Sequence, residues 1–193
     1  ENGSGAMQLW SMNADGTGRK QVSFEAEGVD DYLFSPCGNK VILIKGVAHE
    51  ASIQKNDEDL ALSTGIVAND LMYKHWDHYT KSAPHPFVAD FDGNKVSGAK
   101  DLLEGEPYES PMLPFGGAEQ LAWSPDGKQI AYTCRKLSGI DYAISTDSDI
   151  FLYDIESGET KNLCKPEGYV RPACDPTRSL KNQAVNQFQE DVN

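Results

Sequence analysis

The sequence predicts an all-β protein made of repeated four-stranded antiparallel units, a partial β-propeller, and three repeated features predict it. The first is a Ser-Pro-x-Gly turn, which occurs at 35–38 and again at 124–127 between an aromatic residue and an apolar run. The second is a strand that ends in an acidic turn containing glycine, and the third is a short strand after each such turn. Four-stranded antiparallel units repeated along a chain are typical of propeller blades.

The Ser-Pro-x-Gly turn is suited to join the first two strands of a unit. Proline fixes φ near the value needed at the first turn position, and the closing glycine accepts a positive φ. The runs that follow are rich in β-branched and aromatic residues, as strands prefer. The turn residues assigned to this structural role are Ser35, Pro36, Gly38, Ser124, Pro125, Asp126 and Gly127.

The repeats give a domain organisation. We expect a partial propeller over 8–174, with whole blades at about 29–103 and 120–163 and a half-blade on either side. Residues 1–7 are small and polar, and are expected to be a linker or an expression scar. Residues 175–193 are expected to form a polar tail or a degenerate blade.

The first whole blade carries a long insert, 47–85, between its second and third strands. Long insertions between short strands often carry function. Four of its residues are candidates to line a substrate channel: Tyr73, His75, Trp76 and Asp77. The alternative is that these aromatic residues pack between blades. Any helix is expected to be confined to this insert.

The composition of the chain disfavours several classes of partner. The formal net charge is −13, which disfavours a nucleic acid partner because phosphate binding needs a basic face. No apolar run reaches the ~20 residues of a membrane helix, so no membrane partner is expected. The four cysteines form no C-x-x-C pair, and neither a metal site nor a cofactor is expected. Cys164 and Cys174 could form a disulfide.

The repeat carries a family resemblance. Ser124 to Lys128, followed by 130–132 (Ile-Ala-Tyr), resembles the WD40-like PD40 repeat shared by TolB and the prolyl oligopeptidase (S9) family. The segments 71–79 and 85–90 resemble the first blades of dipeptidyl peptidase 5 and acylaminoacyl-peptidase-like enzymes. The segments 104–123 and 134–150 resemble the Bacteroidetes branch of that group.

The resemblance implies a role without catalytic residues. In such serine peptidases the propeller screens a C-terminal α/β-hydrolase domain, holds no residue of the catalytic triad and admits short peptides. The chain has no G-x-S-x-G nucleophile motif, so we expect proteolysis from the parent hydrolase and not from this chain alone. The resemblance also implies a periplasmic or exported parent. The alternative function is a TolB-like module that binds proteins.

An incomplete ring has a further consequence. Its terminal blades would leave strand edges at 8–12 and 170–174 unpaired. We therefore expect the isolated chain to self-associate, with exposed apolar residues at Val41, Leu43, Phe151 and Tyr153.

Overall fold

The structure, a computed structural model, consists almost entirely of antiparallel β-sheets. It describes residues 5–48 and 82–164 with their side chains, and the backbone of two short strands at 74–75 and 78–79. No helix in this part of the chain is long and apolar enough to cross a membrane.

Two four-stranded sheets form the whole blades. In each sheet the four strands lie side by side in chain order. The first blade consists of β3 (Asp31–Phe34), β4 (Lys40–Ala48), β7 (Ser82–Phe91) and β8 (Val96–Asp101). The second consists of β9 (Leu121–Trp123), β10 (Gln129–Cys134), β11 (Asp149–Asp154) and β12 (Thr160–Asn162). The predicted all-β class with four-stranded blades is confirmed.

Two further sheets have two strands each. One consists of β1 (Trp10–Ser11) and β2 (Lys20–Gln21) and packs against the first blade. The other consists of β5 (Lys74–His75) and β6 (His78–Tyr79), in which His75 lies opposite His78. Pairing of β4 with β7 runs from Lys40 to Ala48, so the strands extend into both ends of the predicted insert. The connection between β4 and β7 is therefore 49–81.

The two Ser-Pro-x-Gly turns have the same geometry. Both glycines have a φ of 69°, in the left-handed region that favours glycine. In each turn the serine carbonyl accepts the glycine N–H, at 2.9 Å for Ser35 and 2.8 Å for Ser124. The second turn has an added carboxylate, since Ser124 Oγ donates to Asp126 Oδ1 at 2.6 Å. This bond, followed by the N–H of Lys128, lowers the pKa of Asp126.

The largest apolar cluster lies between the two whole blades. Ile42 and Ile44 of the first blade pack with Trp123, Ile130 and Tyr132 of the second. Trp123 Nε1 also donates to the carbonyl of Leu33 at 3.0 Å. The two blades are therefore packed face to face, with β4 of the first blade against β9 and β10 of the second.

The prediction of exposed apolar residues was wrong in its particulars. Val41 and Leu43 are fully buried, and Phe151 and Tyr153 are nearly so. Each lies on a blade face that the neighbouring sheet covers. Other apolar residues are exposed on the blade faces, among them Phe34.

The prediction that helix is confined to the insert was also wrong. A one-turn helix, α1 (Gly139–Ile144), lies between β10 and β11, and a 3₁₀ turn (Ala118–Gln120) precedes β9. In helix α1 the side chain of Tyr142 is buried, while those of Ile140 and Ile144 are exposed. Residues two positions apart lie on different faces of a helix, so a short helix can bury Tyr142 and expose both isoleucines.

The segments that connect the strands lie at the two ends of the blades. In an antiparallel sheet with strands in chain order, the links after the second and fourth strands leave from the same end. We call it the connection end; it receives 49–81, 102–120 and 135–148. The Ser-Pro-x-Gly turns lie at the opposite end. The candidate channel insert is therefore attached at the connection end.

Cysteine labelling tests the blade packing. Burial raises the pKa of the Cys134 thiol to about 12, whereas Cys37 is exposed in the first turn. Thiolates are the reactive species, so iodoacetamide at pH 8 is expected to modify Cys37 and leave Cys134 unmodified until the chain is unfolded. Peptide mass spectrometry with and without denaturant measures both. Equal native rates at the two sites would contradict the packing.

Candidate functional site at the connection end

The connection end is organised around a buried carboxylate. Glu109, in the link between the blades, is fully buried, and its Oε1 accepts a 2.7 Å hydrogen bond from the hydroxyl of Tyr142. A buried carboxylate is costly unless it is hydrogen-bonded. The bond therefore fixes α1 against the link between the blades.

An arginine completes this cluster. The guanidinium of Arg135 lies 3.8 Å from the centre of the Tyr142 ring, and its Nη1 donates to the carbonyl of Ser145 at 3.1 Å. Burial and then the Glu109 charge raise the pKa of Tyr142. The phenol therefore stays protonated at neutral pH and remains a donor to Glu109.

Residues next to Glu109 join both blades. The backbone N–H of Ser110 donates to the carbonyl of Pro84 in β7, and its hydroxyl donates to the carbonyl of Thr133 in β10, both at 2.9 Å. The Cys134 thiol donates to the Glu109 carbonyl at 3.4 Å. The link is thus held to both whole blades at once.

A buried histidine lies nearby with a structural partner. His85 Nδ1 is 2.8 Å from Asp101 Oδ2, and Asp101 Oδ1 accepts the N–H of Leu103 at 2.8 Å. These bonds hold the start of the link at 102–120 against the first blade. In the described part of the chain His85 is the one histidine with a placed side chain, and Asp101 is its hydrogen-bond partner, so no serine–histidine or cysteine–histidine pair is present there.

A cleft of about 290 Å³ opens beside the link. Its walls come from the start of β3, the ends of β4 and β7 that face each other, and the loop 111–117. Asp30 and Asp31 line it; burial raises the pKa of Asp30, and Asp31 Oδ2 accepts the N–H of Ala118 at 3.3 Å. Among the described residues no group of three or more histidine, cysteine or acidic side chains could hold a metal.

The predicted channel residues are only partly placed. Tyr73, Trp76 and Asp77 lie outside the described residues, and His75 is placed by its backbone in β5. The channel therefore stays a prediction. Cys164 is a free thiol whose sulfur accepts the N–H of Ile150 at 3.4 Å. Cys174 lies outside the described part, so a disulfide between the two stays a prediction.

Sequence reasoning did not predict that Glu109 and Tyr142 are in contact. Glu109 carries no motif, and Tyr142 follows it by 33 residues. The available signal was weak: an acidic residue beside an apolar stretch in a link that joins two blades.

Comparison with known proteins identifies relatives by sequence, although no protein-family model matches the chain. Dipeptidyl-peptidase 5 of Porphyromonas gingivalis is 46% identical over 162 residues, which cover 84% of this chain and 24% of that protein. Dipeptidyl-peptidase 5 of Porphyromonas endodontalis is 43% identical over 159 residues, covering 82% and 23%.

Solved structures were compared as well, and a TolB protein is among those that match. TolB from Acinetobacter baumannii aligns with a TM-score of 0.40 at 15% identity, covering 81% of this chain and 26% of that chain. This overlap is too weak to carry an argument, and the fold assignment depends on the sheets described above.

The chain spans about a quarter of the length of the curated relatives it matches. The identity extends over both whole blades and the link between them. By sequence, the chain is similar to the N-terminal part of dipeptidyl-peptidase 5, and its four-stranded blades are those of a propeller.

Proposed function

We propose that this chain is part of the propeller of a serine exopeptidase that removes dipeptides, and that it controls which peptides reach the hydrolase domain. The observation that carries the proposal is the 46% identity to the dipeptidyl-peptidase 5 of Porphyromonas gingivalis over 162 residues. The catalytic triad belongs to the hydrolase domain of the parent protein, and this chain supplies no catalytic residue.

The connection end supports a gating role. It receives the three longest connections, and Glu109, Tyr142 and Ser110 fix two of them to the blades. A gate needs a fixed frame so that its opening has a defined width. In this proposal the frame is the Glu109 cluster, and the insert residues Tyr73, His75, Trp76 and Asp77 line the path of the peptide.

Activity measurements test the proposal. The full-length protein is expected to cleave dipeptidyl chromogenic substrates and to be blocked by a serine-reactive inhibitor, while residues 1–193 alone cleave nothing. In the full-length protein, Trp76→Ala is expected to raise the rate on long polypeptides relative to the dipeptidyl substrate at least several-fold. Phe115→Ala, at an exposed aromatic residue of the link, is the matched control.

Two results would contradict the proposed activity and gating, and a third would contradict the proposed location. Absence of dipeptide release by the full-length protein would contradict the exopeptidase assignment. An unchanged ratio in Trp76→Ala, with dipeptide release retained, would contradict gating by the insert. The proposed location is periplasmic or exported, which recovery of the full-length protein in the cytosolic fraction would contradict.

A further inference from the structure

The cleft beside the link at 102–120 combines apolar walls with two carboxylates. Its volume of about 290 Å³ gives room for a single side chain and not for a folded segment. Asp30 and Asp31 line it together with Ser82, and the apolar part of the wall comes from Ile44, Pro84, Pro111 and Leu113. A mostly apolar cavity with a few charged groups has the usual composition of a ligand site.

Gly117 leaves open space between two carboxylates on one side of this cleft. A Cβ atom at Gly117 would lie 2.7 Å from Glu119 Oε2 and 3.9 Å from Asp31 Oδ2. Gly117 has a φ of −141° and a ψ of −158°, an extended conformation that any residue can adopt. The backbone therefore does not require glycine here. A cationic nitrogen in that space would be within the ion-pair distance of about 4 Å from both carboxylates.

No cation of the described residues neutralises these carboxylates. The ion pairs in that part of the chain involve other acidic residues and leave out Asp30, Asp31 and Glu119. The segment 21–39 has four acidic residues and the segment 101–127 has six, and neither contains lysine or arginine. Burial raises the pKa of Asp30, because its charge is partly removed from water. The cleft therefore attracts a positively charged ligand.

The apolar walls indicate which kind of cation fits. They can bury a hydrocarbon stem, as the stem of a long cationic side chain is buried elsewhere. The amine at a peptide N-terminus has a polar peptide group next to it and would leave these walls unused. An ammonium group is compact and has three donors, so it can bind carboxylates on two sides, whereas a guanidinium is a planar fork that matches one carboxylate. A lysine side chain has both the stem and the ammonium group.

We infer that the cleft binds a lysine side chain of a peptide, with the ammonium group above Gly117 between Asp31 and Glu119. The carbon stem then lies along the apolar wall. The cleft is at the connection end, where the insert is attached. As a subsite for substrates the cleft depends on the proposed function. As a binding site it does not, and its occupancy can be measured without any cleavage.

Peptide titrations of the full chain test the inference. The probe is an alanine–lysine–alanine tripeptide, acetylated at its N-terminus and amidated at its C-terminus. It is expected to shift the NMR amide signals of Gly116, Gly117 and Ala118 saturably. The same peptide with norleucine has the stem without the ammonium group and is expected to bind at least tenfold more weakly. A norleucine peptide with a free N-terminus places its ammonium group there, and is expected to bind as weakly as the acetylated one.

Variants of the chain locate the binding. Gly117→Ala fills the space between the carboxylates and is expected to lower the affinity for the lysine peptide at least tenfold. The atom that must move is the far end of the exposed Glu119 side chain, so the circular dichroism spectrum is expected to stay unchanged. The double variant Asp31→Asn, Glu119→Gln is expected to lose affinity to the same extent. Asp141→Asn removes an exposed charge of α1 at the connection end. It is the matched control and is expected to leave the affinity unchanged.

Several outcomes would overturn the inference. They are equal binding of the lysine and norleucine peptides, absence of saturable shifts, and an unchanged affinity in Gly117→Ala. Tight binding of the norleucine peptide with a free N-terminus would assign the cleft to a terminal amine instead. A loss in Asp141→Asn equal to that in the double variant would show a diffuse field and no site. If the chain binds the lysine peptide but the full-length protein releases no dipeptides, the proposed function fails and the binding site stands.

Discussion

Trp123→Ala is expected to lower the free energy of unfolding by about 3–5 kcal/mol, the usual cost of removing a large buried aromatic side chain. The indole lies between the two whole blades, and its Nε1 bond to the Leu33 carbonyl is lost with it. Urea unfolding followed by circular dichroism gives the free energy from the midpoint and the slope. The loss should be large because the cavity opens at the interface that joins the blades.

Phe34→Ala is the matched control for this prediction. Phe34 holds the same repeat position but is partly exposed, in contact with Tyr32 and Phe91. Phe34→Ala is expected to lower the free energy of unfolding by about 1 kcal/mol, near the average for point substitutions. An equal loss of unfolding free energy in the two variants would contradict the difference in burial between Phe34 and Trp123.

Tyr142→Phe is expected to lower the free energy of unfolding by about 1.5–3 kcal/mol, the range for a hydrogen bond to a charged group. The substitution keeps the ring and removes only the hydroxyl that donates to the fully buried Glu109. Tyr32→Phe makes the same chemical change at a half-exposed tyrosine, and is expected to stay within about 0.5 kcal/mol of the wild type.

The pH dependence gives a second measurement of the same bond. Burial and then Glu109 raise the pKa of Tyr142 above its ordinary value of 10.0. A raised pKa in the folded state contributes stability that is complete below the unfolded-state pKa and is lost as the pH rises from there through the folded-state pKa. The wild type is therefore expected to lose stability above about pH 10, and Tyr142→Phe is expected to lose less. Parallel curves for the two proteins would contradict the buried bond.

Local chemistry explains which parts of the fold could be predicted. Each Ser-Pro-x-Gly turn is defined by four consecutive residues, so the sequence alone predicts the hairpin that opens each blade. The four-stranded sheets follow from repeating that pattern. By contrast, the burial of Val41 and Leu43 depends on β1–β2, which is distant in sequence, and the strand pattern could not show which blade faces were covered.

The site was harder to predict than the fold for the same reason. Glu109 and Tyr142 meet only because two connections leave the same end of the blades. Helix α1 was missed because a single turn with one inward residue has no apolar periodicity to detect. The turn residues were readable because their role is conformational and local, whereas the roles of Glu109 and His85 depend on partners far along the chain.

The unequal lengths of the connections bear on the order in which the blades fold. In the unfolded chain, joining β4 to β7 closes a loop of 33 residues, 49–81, whereas joining β10 to β11 closes one of 14 residues, 135–148. Loop-closure entropy grows with the logarithm of length, so the longer loop costs about 0.8 kcal/mol more. The second blade can therefore assemble first and offer a finished surface on which Ile42 and Ile44 condense. The insert that gives the first blade its candidate channel residues would then also make that blade the later one to form.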